Sequence, residues 1–240
     1  MSELRVALEH ALGPLYRVER EVRPVGDFRL FVATQIPVGP ELLIKVLPAS
    51  VSLAADGVTL ERELLLLADR LRHPRLVAPQ GGGLAGSFIY HVRPFLEGTT
   101  LHAWMAKNDA VPLGRLVEIL SGVLEGLAHA HAAGLAHGDL RAENVLLGTD
   151  GIALADVGVA RLLGRAANAR NDMVALAALV NDMLMGRRLG APGEPLADSR
   201  TLPSWLMEWI QTSWRDAGQA LAALRPPPRA SGPRPSRPVV

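Results

Sequence analysis

His137-Gly138-Asp139-Leu140-Arg141-Ala142-Glu143-Asn144-Val145-Leu146-Leu147 is the stretch that decides the fold. An apolar run at helical spacing, residues 113–134, leads into it, with Leu116, Ile119, Leu120, Val123, Leu127 and His131 on roughly one side. Behind it, Val145–Leu147 and Ile152–Leu154 flank Gly148-Thr149-Asp150-Gly151, a hairpin signal. Asp156-Val157-Gly158 follows at once. A carboxylate, a carboxamide five residues on and a second carboxylate past the hairpin thus stand beside short strands.

Working outward, residues 1–15 read as a leading helix that stops near Gly13-Pro14. Tyr16–Val22, Arg29–Thr34 and Glu41–Leu47 are strands of an antiparallel meander, separated by Pro- and Gly-containing turns. Residues 58–72 read as a helix, with Leu60, Leu64, Leu67 and Leu71 at helical spacing and His73-Pro74 ending it. Phe88–Arg93 is a further strand, and residues 172–185 and 203–224 are helical. The tail, 225–240, is rich in Pro, Arg and Ser and lacks the apolar content to pack, so disorder is expected there. Strands dominate the first part and helices the rest, which predicts an α+β fold in two lobes.

The bulk numbers narrow the function classes. The 240 residues are 49% hydrophobic, enough for a large core, and carry a net charge of +1. That charge gives no global pull toward nucleic acid or acidic lipid. Zero cysteines exclude a disulfide scaffold or a thiolate metal site. No signal core and no membrane-length apolar window are visible, so a soluble, cytoplasmic protein is expected.

The quoted stretch resembles the catalytic loop H-R-D-L-x-x-x-N of protein kinases, and Asp156-Val157-Gly158 resembles their D-F-G. The likeness runs from about Tyr16 to Leu224 and is closest to bacterial Ser/Thr kinases. It implies an antiparallel-sheet N-lobe with one helix at 16–96 and a shortened, mainly helical C-lobe at 97–224. It implies that Asp139 orients the acceptor hydroxyl, and that Asn144 and Asp156 hold Mg²⁺. Lys45, in Leu42-Leu43-Ile44-Lys45, matches the strand lysine that holds the α/β-phosphates, and Arg141 replaces a lysine that contacts the γ-phosphate. Gly26, Leu30, Pro94, Phe95, Leu96 and Leu146 fall where the family contacts ATP. The helix glutamate that pairs with Lys45 is expected at Glu63, on the apolar side, with Glu61 pointing elsewhere. An ungapped count back from Leu71-Arg72-His73-Pro74 instead places Leu64 in that slot. Asp172 resembles the aspartate that braces the catalytic loop, and a helix N-cap is an equally good local account.

The chain also departs from that family. The glycine-rich loop is Arg23-Pro24-Val25-Gly26-Asp27-Phe28, with Arg23, Val25 and Phe28 in the glycine slots. Leu43 replaces the alanine above the base, and Arg93 stands before the hinge, where it needs a partner such as Glu63 or Asp156. Gly138 replaces the arginine of H-R-D. Residues 159–171 hold no Ser, Thr or Tyr, and no A-P-E follows. Arg187–Pro203 is too short for the usual substrate-side helix. Three readings follow: an ATP- and Mg²⁺-dependent kinase acting on Ser/Thr of a protein substrate; a pseudokinase that recognises a protein partner and needs no cofactor; or, from His137-Gly138-Asp139, an aminoglycoside-type small-molecule kinase.

Overall fold

The computed structural model describes residues 3–25, 28–48, 57–108, 111–185 and 202–224. Helix α1 (Glu3–Leu12) leads into strands β1 (Tyr16–Val25), β2 (Phe28–Gln35) and β3 (Glu41–Val46). Helix α2 (Gly57–Arg70) follows, then β4 (Leu76–Val77), β5 (Gly81–Ala85) and β6 (Phe88–Pro94). Five strands form one antiparallel sheet in the order β1-β2-β3-β6-β5.

The period of two divides this sheet between two cores. Leu42, Ile44 and Val46 of β3, with Phe31, Tyr90 and Val92, face outward and are covered by Leu4 and Leu8 of α1. Fully burying a side chain such as Phe31 contributes about 1.5–3 kcal/mol, so the leading helix is part of the fold. Ile89 faces inward and packs with Leu47 and with Leu60 and Leu64 of α2. The same alternation turns Lys45, His91 and Arg93 inward, where all three are buried.

Beyond β6 come β7 (Gly98–Thr100), α3 (Leu101–Met105), α4 (Leu113–Ala132), β8 (Val145–Gly148) and β9 (Gly151–Ala155). Then follow α5 (Val159–Leu162), α6 (Ala169–Met185), α7 (Ser204–Gln211) and α8 (Ala217–Ala223). Helix α4 is the spine of the second core, with Leu116, Ile119, Leu120, Val123, Leu124 and Leu127 all buried. Two of its glycines let it press onto the second sheet, β4-β9-β8-β7. A Cβ at Gly122 would lie 2.5 Å from Ile152 Cβ, and one at Gly126 3.0 Å from the Arg75 carbonyl.

The run 203–224 is two helices rather than one. Asp216 caps α8 by accepting from the Gln219 N–H at 2.9 Å, which starts a new helix. Trp214 lies in the connection and donates through Nε1 to the Trp209 carbonyl at 3.0 Å. Trp209 is buried in the core, and Trp205 packs partly buried against it. Strand β5, Gly81-Gly82-Gly83-Leu84-Ala85, carries no side-chain alternation to announce it. It is held by its antiparallel ladder with β6, from Gly81 opposite Val92 to Ala85 opposite Phe88, and a Cβ on Gly82 would lie 2.5 Å from Leu64 Cδ1. The expectations for Gly26, for 187–201 and for the 225–240 tail lie outside the described residues.

Candidate active site

Asp156 follows β9 directly and has φ +64°, the one left-handed non-glycine among the described residues. Aspartate tolerates that region better than most residues. The turn aims its carboxylate at the inward face of β3 and β6. Lys45 Nζ donates to Oδ2. Oδ1 lies 3.6 Å from His91 Nε2 and 3.9 Å from Arg93 Nε, without a hydrogen bond to either. Burial alone would raise this carboxyl. Lys45, His91 and Arg93 together override it and hold it well below the usual carboxylate range. His91 is pushed down to about 4 by burial, so it is neutral at pH 7.

Of the two partners expected for Arg93, the structure selects Asp156. It does not bring Glu63 to Lys45. Glu63 is 39% exposed and lies 3.4 Å from its neighbour Arg62, while Leu64 is fully buried. The helical phase of α2 is set by Leu60, Leu64 and Leu67, and one residue of register puts Glu63 at the edge. Glu61 is exposed as well. Phe28, in a glycine slot of the loop, lays its ring under Lys45 Nζ at 4.2 Å from the centroid.

The loop after α4 is held from below. Asp172 Oδ2 accepts from the His137 N–H at 2.7 Å, and Oδ1 accepts from the Gly138 N–H at 2.9 Å. His131 Nε2 lies 2.9 Å from Oδ2. Helix α6 begins at Ala169, so Asp172 sits inside it and braces the loop rather than capping the helix. His137 is buried and accepts from the Asp139 N–H through Nδ1 at 3.3 Å, a structural role. His129 turns away and stacks on His73, centroids 4.7 Å apart. Gly138 has φ +78°, and a Cβ there would lie 2.8 Å from Ala167 Cβ and 3.0 Å from Ala160 Cβ. The slot of the family's arginine is thus closed.

Asn144 Nδ2 donates to the Asp139 carbonyl at 2.8 Å and to its Oδ2 at 3.2 Å. Arg165 Nη1 lies 3.5 Å from Asp139 Oδ1. Arg141 Nε donates to Glu143 Oε2 at 3.0 Å, and His102 Nδ1 lies 3.5 Å from Oε1. The Gly158 N–H donates to the His137 carbonyl at 3.2 Å, tying the end of β9 to the loop that carries Asp139.

A cavity of about 140 Å³ lies between the first sheet and β8, lined by Leu30, Leu43, Arg93, Phe95, Leu96 and Leu146 among others. Pro94 is not among its walls and lines a depression behind the strand end. His91 and Arg165 belong to the site and were not anticipated. His91 was findable, two residues before Arg93 on the same strand face. Arg165 was not, because only the path of the shortened segment brings it to Asp139.

The protein kinase domain family matches residues 31–185, more than half of the chain. The chain belongs to the protein kinase family. Serine/threonine-protein kinase PknL of Mycobacterium bovis is 31% identical over 68% of this chain, and pkn3 of Myxococcus xanthus is 30% identical over 61%. The chain spans only 41% and 28% of those two proteins. Among solved structures, the PknI kinase domain of Mycobacterium tuberculosis superposes with a TM-score of 0.68 at 20% identity, covering 88% of this chain and 94% of that one. It shares the two-lobed α+β fold. These matches are to protein kinases.

Proposed function

We propose that this kinase domain binds a nucleoside triphosphate with Mg²⁺ in the cleft and transfers its γ-phosphoryl group to a Ser or Thr hydroxyl of a protein. ATP is the donor that membership of the family implies. The observation that supports this most is the cross-cleft pairing of Lys45 with Asp156, beside the Asn144–Asp139 pair. The donor set suits a hard cation that needs only a few protein oxygens besides phosphate and water. Asp156 Oδ1 is a buried anionic oxygen with no hydrogen-bond partner. Asn144 commits its amide nitrogen to Asp139, which leaves its oxygen as the remaining donor. No cluster of three His, Asp or Glu competes for a metal among the described residues. When bound, Mg²⁺ offsets the charge of the triphosphate.

Lys45 would exchange part of its contact with Asp156 for phosphate oxygens. Asp139 would leave Arg165, accept the proton of the attacking hydroxyl and fix its direction. Arg141, positioned by Glu143, supplies positive charge near the transferred group. No helix among the described residues is long and apolar enough to cross a membrane; a cytoplasmic location fits this role.

A second reading, a regulatory pseudokinase that engages a protein partner, is favoured by one specific observation. Arg93 and His91 crowd the oxygen of Asp156 that a metal would take, while Lys45 lacks its helix glutamate. Labelled γ-phosphate transfer to the chain itself and to a Ser/Thr-rich acceptor separates the two. Catalysis predicts transfer that Asp139→Asn lowers by about 10²–10⁴-fold. Transfer indifferent to that change overturns the assignment of Asp139, and nucleotide binding with no transfer selects the pseudokinase.

A further inference from the structure

We propose that the acceptor of this domain is acidic: a Ser or Thr with Asp or Glu close by in its own chain, selected by Arg165. This rests on the phosphoryl-transfer reading above and names the class of acceptor. Residues 159–171 lie folded against the loop that carries Asp139. At one end the Gly158 N–H donates to the His137 carbonyl at 3.2 Å. At the other, Asp172 accepts from the His137 and Gly138 N–H groups at 2.7 and 2.9 Å. Between these ends Ala160 and Ala167 pack over Gly138.

The tip of the segment is fixed by its own main chain. Gly164 takes φ +74°, and the Arg165 N–H donates to the Ala160 carbonyl at 3.0 Å. From that tip Arg165 Nη1 comes within 3.5 Å of Asp139 Oδ1. An acceptor hydroxyl that reaches Asp139 therefore arrives beside a guanidinium. An extended chain advances about 3.3 Å per residue, so side chains one or two residues from the hydroxyl fall within its reach.

The segment carries charge of one sign. Residues 159–171 hold Arg161, Arg165 and Arg170 and neither Asp nor Glu. All three arginines are exposed. Among the described residues Arg161 and Arg170 have no ion pair, and Arg165 has only Asp139. The other acids at the loop are already engaged. Glu143 accepts from Arg141 Nε at 3.0 Å, with His102 Nδ1 3.5 Å away, and Asp172 is buried beneath the loop. A neutral acceptor that takes Asp139 leaves Arg165 without its carboxylate. An acidic acceptor brings a replacement, and one flanked by arginine sets like charges together. The transfer is the one proposed above. The acceptor oxygen bonds to the γ-phosphorus as the bond to the bridging oxygen breaks, the nucleoside diphosphate leaves, and Asp139 takes the hydroxyl proton.

Initial rates of the full chain with Mg²⁺ and ATP on three synthetic peptides test this. The peptides share one Ser and differ only in the residues around it, which are Glu, Gln or Arg. The Glu peptide is expected to exceed the Gln peptide in kcat/KM by about two- to fivefold, with the Arg peptide slowest and the differences shrinking as salt is added. Arg165→Lys should keep this order and Arg165→Glu should reverse it, which a merely structural role for Arg165 would not do. Equal rates, or the Arg peptide fastest, overturn the inference and leave the kinase reading standing. An order that survives Arg165→Glu also overturns it. Labelling of none of the peptides overturns both. The ranking of the peptides needs no variant, so it decides the matter even if Arg165→Glu fails to fold.

Discussion

Asp156 gathers more charge than any other side chain in the cleft, and its surroundings divide labour unusually. In the resembled family the strand lysine is steadied by a helix glutamate. Here Asp156 itself takes Lys45, with Arg93 3.9 Å and His91 3.6 Å away. Removing one member of a buried pair costs about 3–5 kcal/mol. Lys45→Met should fall toward the lower end, because Arg93 remains beside the acid. Glu63→Ala should change stability by no more than about 0.5 kcal/mol, as expected for a half-exposed neighbour pair, and leave nucleotide affinity intact. Urea unfolding of both variants checks this contrast; a large loss in Glu63→Ala would mean that the helix glutamate matters after all. The sequence made the identities of Asp139, Asn144, Asp156 and Lys45 legible because their spacing is local to loop and strand ends. Which cation meets which acid was not legible. That depends on the register of β6 against β3 and on one residue of helical phase in α2, both fixed by distant packing.

At the scale of elements, apolar periodicity located four of the five strands of the first sheet and the helices α2, α4 and α6. It failed where side chains are absent or where a cap hides inside an apolar run. The triglycine of β5 has no pattern, and Asp216 splits a stretch that otherwise reads as one helix. The glycines of α4 carry a sharper consequence. Glycine to alanine inside a helix ordinarily adds about 1 kcal/mol of stability. At Gly122 the new Cβ would sit 2.5 Å from Ile152 Cβ, so Gly122→Ala should instead destabilise, by about 1–3 kcal/mol. A thermal melt that rises in this variant would show that α4 and β9 are not so tightly apposed.

For the whole molecule, the buried histidines set the response to pH. Burial lowers His91 from 6.5 to about 4, and lowers His137 as well. Between these values the unfolded chain takes up a proton that the folded His91 refuses. Stability is therefore complete above about pH 6.5 and declines as pH falls toward 4, by about 3 kcal/mol from His91. The depressed carboxyls of Asp156 and Asp172 act later, because their contribution is present above the ordinary carboxylate range and lost below it. Denaturant midpoints from pH 7 to 4 should fall steadily, and His91→Leu should flatten the slope. An unchanged slope in that variant would place the titration elsewhere.

The two lobes meet at Lys45 and Asp156, the contact proposed above as the seat for nucleotide phosphates. Thermal unfolding of the full chain with Mg²⁺ and ATP tests it most directly. A ligand confined to the folded state adds about 2.7 kcal/mol at a hundredfold excess over its Kd. A clear rise in melting temperature, absent in Lys45→Ala, is the predicted result. No rise at millimolar nucleotide, or an equal rise in Lys45→Ala, would contradict it.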